Sequence, residues 1–168
     1  MHTARSFLAV LAVIGLIAPV AAQEGETTVQ MSSGLRQDTS APVEVEADRL
    51  AVDQAKGTAT FTGNVRVRQG EMRIKSEKAT LEYAEGSTDV ERVVMTGGVT
   101  MTNGVETAQG EQAVYTIASG EVVITGKVLL TQGKSTISGN QLVYDLDSGQ
   151  GVMTGRVQTV FVPGKKSP

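Results

Sequence analysis

A short frame, Thr-Gly-x-Val, recurs four times along this chain and stays in register with two other landmarks. It stands at 62–65, 96–99, 125–128 and 154–157, in steps of 34, 29 and 29 residues. A second frame runs ahead of each copy: Ala47-Asp48-Arg49-Leu50, Ser76-Glu77-Lys78-Ala79, Gly110-Glu111-Gln112-Ala113 and Gly139-Asn140-Gln141-Leu142. Ten residues after the first residue of each lies a glycine: Gly57, Gly86, Gly120 and Gly149. Gly70, Gly104 and Gly133 follow the Thr-Gly glycines of the three complete copies by seven residues. One five-residue insertion, within 87–94, accounts for the longer step. Such periodicity marks a repeat protein of about 29 residues per unit, each unit burying its apolar face only against its neighbours.

The units are made of strands. Apolar residues alternate around every Thr-Gly: Phe61, Val65 and Val67; Val93, Met95, Val99 and Met101; Val122, Ile124, Val128 and Leu130; Met153, Val157 and on to Phe161. Leu81 and Tyr83, Tyr115 and Ile117, and Tyr144 and Leu146 alternate ahead of the second glycines. Period-two alternation is the pattern of a strand with one buried face, and the spaced glycines are turn residues. The inward parity flips between Ile74 and Ala79 and between Ile137 and Leu142, which places a turn or bulge near Glu77 and Asn140. About four strands per unit give about sixteen short antiparallel strands in an all-β chain, with an open sheet edge at each end.

The N-terminus carries Arg5, an apolar run from Phe7 to Val20 and the small pair Ala21-Ala22, the layout of a cleaved secretory signal over 1–22. The run falls short of the roughly 18 residues of a spanning helix, although a retained anchor is the competing reading. Residues 23–41 read as a flexible lead, 42–162 as one β domain, and 163–168 as a short tail. The formal charge of −3 becomes about −4 once Arg5 is removed, and gives no reason to expect a nucleic-acid partner. Cysteine is absent, and the one histidine, His2, lies in the signal. This excludes His/Cys zinc sites and Ser-His or Cys-His nucleophiles, leaving an enzyme to rely on carboxylates, lysine or tyrosine. No cofactor or catalytic residue is expected. Asp145 and Asp147 lack a third ligand and read as a strand entering the Ser148-Gly149 turn rather than as a cation site.

With these landmarks in place, the run 59–65 (Ala-Thr-Phe-Thr-Gly-Asn-Val), continuing through Val67 and Gln69-Gly70, resembles the periplasmic lipopolysaccharide-transport bridge proteins of the LptA/OstA family. The opening strand 42–48 and the close at 160–163 are similar as well, so the resemblance covers nearly all of the chain after the signal. The resemblance implies an open β-jellyroll whose groove holds the lipid A acyl chains. It also implies head-to-tail stacking that links an inner-membrane anchored homologue to an outer-membrane translocon. The chain departs from the family pattern at Gly98, which stands where a polar residue is preferred.

Each methylene of an acyl chain exposed to water costs about 0.8 kcal/mol, so a carrier needs a continuous apolar trough and no bond chemistry. The inward residues nominated for the trough are Val43, Val45, Val65, Val67, Ile74, Leu81 and Tyr83, continued by Val99, Met101, Tyr115 and Ile117. Of these, Val43, Val45, Tyr83, Val99, Tyr115 and Ile117 match the inward pattern that meets lipid in the family. The alternative for every one is simple core packing. Arg66, Arg68, Arg73, Lys75 and Lys78 cluster on one hairpin. They are candidate contacts for lipid A phosphates at the groove rim, or else a solvated outer face. A structural or adhesive repeat protein with a filled interior, and an enzyme acting on envelope material, are the rival functional classes.

Overall fold

The structure, a computed structural model, describes Thr27–Val29, Leu35 and residues 41–162. The expected signal and C-terminal tail lie outside the described residues. Eleven strands form one antiparallel sheet, and no helix occurs among the described residues. They are β1 (Thr27–Val29), β2 (Val43–Glu46), β3 (Arg49–Asp53), β4 (Thr58–Gln69), β5 (Met72–Tyr83) and β6 (Val90–Thr102). The rest are β7 (Glu106–Thr116), β8 (Glu121–Gln132), β9 (Ser135–Asp145), β10 (Gln150–Thr154) and β11 (Gln158–Val160). The sequence leads one to expect about sixteen short strands, and the difference is one of continuity. Each of β4 to β9 is a single long strand crossing one bend, so that it supplies two of the short strands expected.

The bend is the work of the Thr-Gly-x-Val frame. Between Thr62 and Val65, Thr96 and Val99, and Thr125 and Val128 the pairing register shifts, as at a β-bulge. The two residues inside the frame both take left-handed backbone angles: Gly63 at φ 82° and Asn64 at 49°, Gly126 at 83° and Lys127 at 48°. The second frame supplies the other side of this joint. Asp48, Glu77, Glu111 and Asn140 lie directly against Gly63, Gly97, Gly126 and Gly155, leaving no room for a Cβ at any of the four. Glu77 and Asn140 are thus at the parity flips expected of them, but the bulged residues lie across from them in the Thr-Gly strands.

Bending every long strand at the same level folds the sheet on itself. One half carries Leu81, Met95, Tyr115, Ile124 and Tyr144; the other carries Val67, Ile74, Met101, Leu130 and Ile137, and these side chains meet in one interior. Tyr115 reaches across it, its hydroxyl donating to Gln69 Oε1 at 3.4 Å. The ends of the sheet are built in two pieces each. β3 pairs the first half of β4 and β2 the second; β10 pairs the second half of β9 and β11 the first.

Of residues 23–41, expected to form a flexible lead, the structure describes Thr27–Val29, Leu35 and Ala41. β1 is hydrogen-bonded along β10, and Leu35 is 2% exposed within the apolar core. A backbone edge and a buried leucine tie down these parts of the lead.

Candidate functional site

The two halves of the sheet do not close uniformly. Near the β2 end they leave an apolar cavity of about 530 Å³. Val43 and Val45 on β2, Val67 on β4 and Ile74 on β5 line one wall. Leu81, Val93, Met95, Tyr115 and Ile117 line the facing wall, and Thr88, Asp89 and Val90 border it. The volume falls within the roughly 300–1,000 Å³ typical of ligand sites, and the lining is mostly aliphatic, with Met95, Tyr115, Thr88 and Asp89. It therefore offers burial without directional demands. The hydroxyl of Tyr115 donates to Gln69 Oε1, and Gln69 Nε2 in turn donates to the Ala41 carbonyl at 3.0 Å.

Seven of the nominated trough residues line this cavity: Val43, Val45, Val67, Ile74, Leu81, Tyr115 and Ile117. The other four do not. Val65, Val99 and Met101 are buried in close-packed core, and Tyr83 is half-buried beside the β5–β6 connection. The expected continuation of the trough through Val99 and Met101 thus lies outside the lining of this cavity. Beyond Tyr115 the interior holds Val122, Ile124, Leu130, Leu142, Leu146 and Met153, all with no measurable exposure. Val93 and Met95 follow the same alternation as the nominated residues and were legible as wall positions. Thr88, Asp89 and Val90 come from the insertion, whose placement beside the cavity no periodicity signals.

The basic hairpin faces the other way. Arg66, Arg68, Arg73 and Lys75 alternate with Val67 and Ile74, so they stand on the outer face while those two line the cavity. They form cross-strand pairs Arg66–Lys75 and Arg68–Arg73, with Glu46 and Glu44 of β2 next in the same rows. Lys78, past the bend, is also exposed. A larger, open hollow of about 760 Å³ beside the β3–β4 turn is lined by residues such as Val52, Asp53 and Lys56. There Lys56 pairs with Asp53 at 3.2 Å, and the surface is mixed and solvent-facing.

Two buried polar atoms without a hydrogen-bond partner among the described residues lie away from this cavity, on Glu106 and Tyr144. Glu106, 2% exposed, accepts a hydrogen bond from Gln132 Nε2 at 3.1 Å through Oε1, and its Oε2 has no partner among the described residues. Burial pushes its carboxyl above the ordinary range, against the opposing effect of the Gln132 bond. The Tyr144 hydroxyl is also unpaired, although the Leu35 backbone approaches it. Burial, with the nearby Glu106 charge, pushes Tyr144 up to about 12. Asp145 caps its turn by accepting from the Asp147 and Ser148 amides at 3.0 and 2.7 Å; the Ser148 amide above all holds its carboxyl below the usual range. No cluster of acidic side chains arranged to hold a metal occurs among the described residues.

The fold is an all-β open jellyroll with an apolar cavity between its folded halves. The family profile described as LptA/(LptD N-terminal domain) LPS transport protein matches residues 44–150, and the chain belongs to that family. An uncharacterized protein of Rhizobium meliloti is 30% identical over 120 residues, 66% of this chain and 64% of its own. The lipopolysaccharide export system protein LptA of Escherichia coli K12 is 37% identical over 49 residues, 29% of this chain and 26% of its own. The chain thus spans less than two thirds of the length of either relative. Its fold is similar to that of LptH, the LptA homologous periplasmic component of the lipopolysaccharide transport device from Pseudomonas aeruginosa. That match has a TM-score of 0.66 at 23% identity and covers 76% of this chain and 99% of the other.

Proposed function

We propose that the chain is a periplasmic lipopolysaccharide carrier that takes lipid A acyl chains into the cavity beside β2 and passes them along a head-to-tail bridge. The observation that carries this reading is the largely apolar cavity itself, set between the two folded halves of the sheet beside β2. A purely structural repeat would gain packing energy by closing an apolar cavity of that size with its own side chains. No bond-making step is assigned to any residue. The partners this reading calls for are lipopolysaccharide, further copies of the chain, an inner-membrane anchored homologue and an outer-membrane translocon, the last three joined through sheet edges. The sheet ends have suitable surfaces: Val43, Leu50 and Val52 at one, Val160, Phe161 and Val162 at the other, are exposed.

The test is recovery of the exported protein from native membranes, followed by mass spectrometry of bound lipid. Lipid A species are expected with the natural chain and sharply reduced with Val67→Phe, which places a ring in the cavity. Lipid-free protein in both cases would support the structural repeat instead.

A further inference from the structure

The end of the sheet that a second copy would need is already half occupied by the chain's own N-terminal strand. We propose that β1 is an internal cap that competes with β3 of a second copy for the edge of β10, so that head-to-tail assembly requires β1 to be displaced. The inference rests on the end-to-end assembly proposed above and names what regulates it.

The argument is one of register. β10, the Thr-Gly-Arg-Val frame and β11 repeat the pattern of β4, with Thr154 corresponding to Thr62, Met153 to Phe61, Val152 to Thr60 and Gly151 to Ala59. On β4, Phe61, Thr60 and Ala59 pair with Ala79, Thr80 and Leu81 of β5. The second frame aligns those three with Leu50, Ala51 and Val52 of β3. A second copy that continued the sheet would therefore set its Leu50, Ala51 and Val52 opposite Met153, Val152 and Gly151. Those seats are taken: Thr27, Thr28 and Val29 pair with Met153, Val152 and Gly151 in that order and also antiparallel.

Occupation is confined to one half of the end. No strand among the described residues covers the outer edge of β11, where Val160 and Phe161 are 60% and 75% exposed. No strand among the described residues pairs the outer edges of β2 and β3 at the opposite end. Leu35, buried in the core with its backbone near Tyr144, anchors the cap in the same end of the interior. An intramolecular strand competes at an effective concentration of about millimolar for a short tether, which free copies do not reach at low concentration. The edge is thereby kept from unscheduled pairing until a partner displaces the cap.

Cysteines can be introduced cleanly, since the chain has none. Thr28→Cys with Val152→Cys joins register partners, whose Cα separation in an antiparallel pair, about 4.5–5.5 Å, suits a disulfide. Sedimentation of the lipid-free full chain is measured over a concentration series. The oxidised variant should stay monomeric where its reduced form assembles. Thr28→Pro with Val29→Pro removes two successive amides, one of which must face β10 in an antiparallel ladder. It should assemble at a concentration at least tenfold lower, with a single cooperative unfolding transition retained as a control for the fold. Equal assembly of all forms, or failure of the disulfide to form, overturns the proposal. Amide exchange at 150–154 locates the fault. If no form assembles while those amides stay protected by β1, the end-to-end reading has failed. If they are unprotected in the natural monomer, the cap itself has.

Discussion

Glu77 lies directly over Gly97, so close that a Cβ on the glycine would sit 2.5 Å from the Glu77 Cβ. The relationship joins two sequence landmarks on neighbouring strands and explains why the bend has a glycine at its first position. Gly97 also has φ 85°, where a side chain is strained whatever the space. Gly97→Ala should therefore lower stability by at least about 2 kcal/mol. Its neighbour Gly98, at φ 82°, has open space around it, and the equivalent residues Asn64, Lys127 and Arg156 all take positive φ. Gly98→Asn should be within about 0.5 kcal/mol of neutral by the same argument. Guanidinium unfolding midpoints of the two variants check the contrast.

The closed and hollow parts of the interior should respond differently to truncation. Met101 has no exposure and packed neighbours, so Met101→Ala should destabilise by about 2–5 kcal/mol. Leu81 is half-buried and already borders empty space, so Leu81→Ala should remain below that range. Equal losses in denaturant unfolding would mean that the cavity does not distinguish the two sites.

Glu106 should make stability depend on pH in a defined direction. Its folded-state affinity for a proton is raised, so the folded chain holds the proton more tightly than the unfolded chain. Its contribution is fully present below the ordinary carboxyl value of 4.5 and is lost as pH rises through the raised value. Glu106→Gln should raise stability at pH 7 by about 1–3 kcal/mol, with the advantage fading toward pH 4. Thermal unfolding of both proteins across that pH range is the measurement.

The basic hairpin should matter little to lipid uptake. Arg66, Arg68, Arg73 and Lys75 stand on the face opposite the cavity wall, where charges are solvated and screened. Changing all four to Gln should alter lipopolysaccharide affinity by less than about threefold at 0.15 M salt, the scale of a weak exposed contact. A loss of tenfold or more in a binding titration would place phosphate on that face.

Much of the architecture was readable because its determinants are local. Thr-Gly-x-Val marks a backbone geometry that little besides glycine can begin, and alternation marks the buried face at Val65, Val67, Ile74 and Met101. The depth of the interior was not readable, because Val67 and Met101 look alike in sequence. Whether an inward residue borders space or packed atoms depends on the separation of strands distant in the chain. The cap was hidden for a similar reason: Thr27–Val29 is a three-residue strand whose partner β10 lies over a hundred residues away. Of the cavity wall, the alternating residues were legible, whereas Thr88 and Asp89 came from an insertion with no period to follow.

The most direct measurement is photo-crosslinking from single positions during lipid transfer in cells. A photoreactive phenylalanine analogue at Ile74 or Leu81, inside the cavity, should capture lipopolysaccharide, whereas the same probe at Arg68 or Lys75, on the outer face, should not. Capture from the outer positions with none from the cavity would contradict the account.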